Sequence, residues 1–128
     1  KAISFADPSP ADLVITDAHL TNASLTDGED FKVVLNVQNT GQVNTYGVKS
    51  TIYWNDDDSF EFATAIILDT DTHGKLAAGE EESGEKTLIR YEDVEDLGSG
   101  YIFAYISGRD EDLDTSNNLS DAMDLILL

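Results

Sequence analysis

The chain contains no cysteine, so neither a disulfide framework nor a thiolate metal site is open to it. Proline is scarce: Pro8 and Pro10 are the only two, both in the first ten residues. No apolar run approaches the length of a membrane span, and the closing Leu125-Ile126-Leu127-Leu128 is far too short. Positive charge is also scarce, with 7 Lys and Arg against 26 Asp and Glu, a formal net charge of −19. A surface of that sign repels phosphate backbones and anionic lipid, which argues against nucleic acid partners and membrane insertion. Catalytic groups are few. The histidines are His19 and His73, and no Gly-x-Ser-x-Gly elbow occurs, so the chain reads as a non-enzyme. The lack of an initiating Met and of a signal peptide points to a mature product or an excised fragment.

What is present suffices for a folded domain. The 128 residues match the common size of one domain, and a hydrophobic share of 41% supplies a core despite the charge. Residues 1–10 read as a linker or N-terminal extension, because Asp7-Pro8 and Ser9-Pro10 are turn formers without apolar periodicity. Residues 11–128 read as a single β-sandwich domain. Its strands are expected near 11–20, 30–39, 46–54, 61–68, 85–91, 100–107 and 119–127, each bounded by Gly, Asn, Asp or Ser. Phe31, Val33, Leu35 and Val37 alternate with Lys32, Asn36 and Gln38, the period of two of a half-buried strand. Val48, Ser50, Ile52 and Trp54 share another face. In the sixth strand Tyr101, Phe103 and Tyr105 oppose Ile102, Ala104 and Ile106, so both faces are apolar and the strand is central. One helical turn is expected around Tyr91 to Leu97. The pattern argues an all-β, seven-strand Greek-key sandwich, in which Tyr101 after Gly98-Ser99-Gly100 has the position of a tyrosine corner or of an ordinary core Tyr.

Several segments carry a family resemblance. Ala11-Asp12-Leu13-Val14-Ile15-Thr16-Asp17 opens the fold; Gly28-Glu29-Asp30-Phe31 runs on to Asn39-Thr40-Gly41. Leu76-Ala77-Ala78-Gly79-Glu80 follows, then Gly100-Tyr101 and Ser116-Asn117-Asn118. In order and spacing the chain resembles CARDB, the cell-adhesion-related domain found in bacteria. The resemblance implies an immunoglobulin-like sandwich in a secreted or cell-surface, hence extracellular, protein. There it would act as a non-catalytic adhesion or accessory module beside other domains of a larger protein, with a polysaccharide or cell-surface ligand as partner.

The acidity allows two readings: a solvating coat suited to salty water, or sites neutralised by cations. Antiparallel topology gathers acidic loops at both ends of the sandwich. Asp69-Thr70-Asp71-Thr72-His73-Gly74, with Glu80 at the twelfth position, nearly repeats the calcium-loop pattern. Its fifth position is His73, whose nitrogen is a poor ligand for hard Ca²⁺. Asp110, Asp112 and Asp114 alternate in a second acidic loop. Asp69, Asp71, His73, Glu80, Asp110, Asp112 and Asp114 are therefore the candidate metal ligands, with Ca²⁺ as the cofactor. A different class of function is a carbohydrate-binding module appended to a polysaccharide-degrading enzyme, with Tyr53 and Tyr91 as outward rings for stacking. Trp54, sharing a face with Val48 and Ile52, is assigned to the core, and His19 to a structural role.

Overall fold

The computed structural model describes residues 11–108 and 118–128. The strands among these residues are β1 (Leu13–Leu20), β2 (Ser24–Leu25), β3 (Phe31–Asn39), β4 (Thr45–Asn55), β5 (Ile66–Leu76), β6 (Glu81–Ile89), β7 (Gly100–Ser107) and β8 (Met123–Leu127). The single-turn helix α1 (Tyr91–Val94) lies between β6 and β7. The strands form two sheets, β1-β3-β6 and β2-β8-β7-β4-β5, which make an immunoglobulin-like β-sandwich.

Alternation decides what fills the space between the sheets. Phe31, Val33, Leu35 and Val37 of β3 are buried to 2% exposure or less. They meet Val48 and Ile52 of β4 and Ile102, Ala104 and Ile106 of β7 in one cluster, with Trp54 packed against it. Burying each large aliphatic side chain there stabilises the fold by about 1.5–3 kcal/mol. Among the polar side chains in the core is the fully buried Asn39. Its Nδ2 donates to the carbonyls of Val43 and Leu76, and its Oδ1 accepts from the amides of Asp12 and Gly41. The side chain thus ties the end of β3 to the starts of β1 and β4 and to the end of β5.

Three of the expected boundaries are corrected. The fourth strand, expected at 61–68, occupies Ile66–Leu76, while residues around Glu61–Thr64 turn, with Ala65 N–H donating to the Glu61 carbonyl at 2.9 Å. β4 is long, and pairing with it draws Asp69 to Gly74 into the sheet, polar side chains included. The fifth strand begins at Glu81 rather than 85, because β3 offers partners as far as Gln38. The last strand is Met123–Leu127; Leu119, expected within it, makes only an isolated bridge to Tyr105. The helical turn begins at Tyr91 as expected, where Asp30 Oδ1 accepts the Tyr91 amide at 2.8 Å. Tyr101, paired with Asn55 and Asp124, falls on the outer face and lines a shallow cleft with Asp56 and Asp124.

Candidate metal centre

β5 is an edge strand of the five-stranded sheet, and β6 is an edge strand of the three-stranded sheet. They are consecutive in sequence, so the chain crosses from one sheet to the other through Ala77 to Glu80. Glu80 shapes this turn: its Oε1 accepts the Ala77 amide at 2.8 Å, and its own amide donates to the Ala77 carbonyl at 2.9 Å. Gly79, at φ +79°, donates to the Asn39 carbonyl. The crossing sets the inward side chains of β5 against those of β6 along the open side of the sandwich.

From β5, Asp71 and His73 turn inward, between exposed Thr70, Thr72 and Gly74. The His73 side chain is 1% exposed. Its Nε2 lies 2.9 Å from Oγ of Ser50, itself fully buried on β4. Its Nδ1 faces Glu82 Oε1 across the gap at 3.8 Å, beyond hydrogen-bond length.

From β6, a bulge places two carboxylates on the same inner face. Glu82 and Glu85 are three positions apart and would point to opposite faces of a regular strand. Here Val37 pairs with Glu82 and Leu35 with Glu85, so Ser83 and Gly84 together oppose Asn36. Gly84 takes φ +73°, and its amide donates to Asn36 Oδ1 at 2.8 Å. The inserted residue restores Glu82 to the inward face shared by Glu85, Thr87 and Ile89.

His73, Glu82 and Glu85 each bring one ligand atom within 4.8 Å of the others. The electrostatics are those of a site short of positive charge. The Glu82 carboxyl is pushed above its ordinary value, first by burial, then by a hydrogen bond with the Glu85 carboxyl, then by the charges of Glu85, Glu80 and Asp71. Glu82 Oε1 is buried without a hydrogen-bond partner among the described residues. A buried carboxylate oxygen left without a partner is costly, and a proton or a cation relieves it. These residues fit a metal: an imidazole nitrogen, two carboxylates and a hydroxyl behind the imidazole.

The structure brings His73 to this centre, and Asp71 and Glu80 contribute charge beside it, the Glu80 carboxylate being used in the turn. Glu82 and Glu85 were not nominated from the sequence; Gly84 between acids that straddle a strand was the available signal. Asp69 is exposed and lines a neighbouring cleft with Asp71, Lys86, Thr87, Arg90 and Asp93. The expected calcium loop is corrected in one respect, since Asp69 to Gly74 run along a strand and do not wrap around a point. Asp110, Asp112 and Asp114 lie outside the described residues.

Tyr53 and Tyr91 stand apart. Tyr91 packs against the core at the start of α1. Tyr53 belongs to an aromatic cluster on the outer face of the five-stranded sheet, its ring 5.0 Å from Phe60 and 5.9 Å from Phe62. Phe60 continues to Phe103 and Phe62 to Tyr105. Burial, and then the neighbouring Tyr105, raise the Tyr53 hydroxyl above its ordinary value. His19 is exposed, with Nδ1 2.9 Å from Asp17 Oδ2.

An immunoglobulin-like sandwich with an acidic cleft along one edge is the class that the geometry defines. The chain belongs to the CARDB family, whose model matches residues 10–110. That family comprises non-enzymatic, immunoglobulin-like accessory domains. Among solved structures, the chain is similar to the CARDB domain of a Pyrococcus furiosus protein in complex with di-metal ions. The identity is 15%, the coverage 100% of this chain and 95% of that one, and the TM-score 0.63. It is also similar to β-glucosidase 3B from Thermotoga neapolitana in complex with glycerol, at 16% identity and TM-score 0.60, covering 90% of this chain and 16% of the glucosidase. A β-glucosidase from Erythrobacter marinus matches at 18% identity and TM-score 0.55, covering 92% and 16%. The chain therefore spans about one sixth of either enzyme, and these likenesses concern the fold. No curated protein matches the chain. No described helix is long and apolar enough to cross a membrane.

Proposed function

We propose that this domain is an extracellular adhesion or accessory module of a larger secreted or surface protein, and that its β5–β6 edge binds a divalent cation. The observation that carries the cation is His73: a buried ring, held at Nε2 by Ser50, with Nδ1 aimed at Glu82 Oε1, which has no hydrogen-bond partner among the described residues. The di-metal complex of the Pyrococcus furiosus CARDB domain supports the reading. The wealth of carboxylates in the sequence makes Ca²⁺ one cation to test, with Glu82 and Glu85 as oxygen donors and the charge of Asp71 beside them. Melting the EDTA-treated chain with and without Ca²⁺, Mn²⁺ or Zn²⁺ tests it. A cation that binds the folded state raises Tm with concentration; an unchanged Tm in all three sinks the proposal. The adhesion role and the extracellular location rest on family membership, and proteolytic shaving of intact source cells would check the location.

A second reading, carbohydrate binding, is favoured by one observation. Phe62 is 58% exposed beside Tyr53 and Tyr105, and so presents an aromatic surface on the outer sheet face. Native affinity electrophoresis in soluble polysaccharides tests it: retardation lost in Phe62→Ala supports a sugar site, and unretarded wild-type chain removes it.

A further inference from the structure

We infer that the β5–β6 centre takes a borderline transition cation of the Zn²⁺ kind in preference to Ca²⁺, and that the bound ion clamps the two sheets together. The inference rests on the cation reading above and assigns its ligand class. Three features of the site carry it.

The first is the donor set. His73 offers a ring nitrogen, and imidazole suits Zn²⁺ and other first-row ions, whereas Ca²⁺ prefers an all-oxygen shell. The second is the number of donors. His73, Glu82 and Glu85 are three, with ligand atoms spread over no more than 4.8 Å. Three side chains and an open fourth position complete a zinc-type shell, whereas Ca²⁺ takes six to eight oxygens. The third is the support behind the imidazole. Ser50 Oγ can accept Nε2–H, and in that tautomer Nδ1 presents its lone pair toward Glu82, the form in which the ring ligates. Metal-bound histidines are commonly oriented in this way by a second hydrogen bond.

The clamp follows from topology. His73 is on β5 and both glutamates are on β6, in different sheets whose edges here meet through side chains, not through a strand ladder. One ion bound to all three joins the sheets at their open side. It also neutralises the mutual repulsion of two carboxylates held close together.

The test uses the EDTA-treated 128-residue chain. Calorimetric titrations with Zn²⁺, Mn²⁺ and Ca²⁺ are compared for the wild type, His73→Gln, Glu82→Gln and His19→Gln, the last because His19 is the exposed imidazole. Expected are at least tenfold tighter binding of Zn²⁺ than of Ca²⁺ or Mn²⁺ and a tenfold or greater loss of Zn²⁺ binding in His73→Gln and Glu82→Gln. His19→Gln should leave affinity unchanged, and β5 and β6 amides should gain hydrogen-exchange protection together. Should a variant fail to fold, the wild-type His73 ring resonances decide: they shift with Zn²⁺ and not with Ca²⁺. Ca²⁺ binding as tight as Zn²⁺, or insensitive to His73→Gln, overturns the assignment of class and leaves the cation reading standing. Zn²⁺ binding lost in His19→Gln overturns the site. No binding of any ion overturns both readings.

Discussion

Ser50 Oγ and His73 Nε2 meet at 2.9 Å in the interior, between strands that pair Ser50 with Asp71. Removing the hydroxyl leaves the backbone ladder intact and frees the imidazole to rotate. Ser50→Ala should weaken metal binding by roughly 10–100-fold, the usual effect of losing a supporting hydrogen bond. The amide spectrum should stay folded while the titration midpoint moves.

Glu82 gives the metal-free domain a pH dependence of defined sign. Its carboxyl holds a proton more tightly in the folded state than its ordinary value of 4.5 implies, chiefly through burial. Its stabilising contribution is complete below that value and is lost as pH rises through the higher folded value. Glu82→Gln should therefore melt above the wild type near neutral pH in EDTA, and the difference should vanish in acid. With a saturating cation the order should reverse. Calorimetric Tm across the pH range, with and without metal, measures both.

Gly84 is the residue that the bulge requires. At φ +73° a Cβ has open space around it, yet the backbone conformation is one that side chains disfavour. Gly84→Ala should cost about 1–2 kcal/mol and lower Tm by roughly 3–10 °C. If the strand escapes the strain by losing the bulge, Glu82 and Glu85 part to opposite faces and metal affinity falls too.

Trp54 and Gly100 pack in close contact at the edge of the core. A Cβ on Gly100 would lie 2.7 Å from the Trp54 ring and 2.8 Å from the Asn55 carbonyl. Trp54 Nε1 donates to the Gly98 carbonyl at 3.1 Å, so the ring has little freedom to retreat. Gly100→Ala should destabilise by about 1–3 kcal/mol through overpacking. Tryptophan fluorescence should report the displaced ring, since Trp54 is the chain's one indole.

The turn at Thr26 to Glu29 makes a smaller, exposed case. Glu29 accepts from both the amide and the hydroxyl of Thr26, which holds its carboxyl below the ordinary value. The associated stability is present above the ordinary carboxylate value and lost as pH falls through the lowered one. Glu29→Gln should flatten that acid limb slightly without touching metal binding.

The sequence by itself determined the inner faces of the sandwich. Alternation in Phe31–Val37 and in Val48–Trp54 is local and repeated, and the burial of those residues follows it. It also singled out Asp69, Asp71, His73 and Glu80, as ligands of a calcium loop. What it assigned wrongly was their setting, because a pattern of acids with a glycine reads alike in a loop and along a strand. Tertiary structure decided the rest. β5 was extended through Asp69–Gly74 by pairing with β4, and that partner is chosen by the whole sheet. Glu82 and Glu85 came to one face through a bulge whose hydrogen bond is supplied by Asn36, 48 residues away. His73 came opposite them because the chain changes sheets at Ala77 to Glu80, a turn anchored on Asn39 and Asn44. Period-two burial is specified by neighbours in sequence, whereas bulges and sheet crossings depend on partners brought near only by folding.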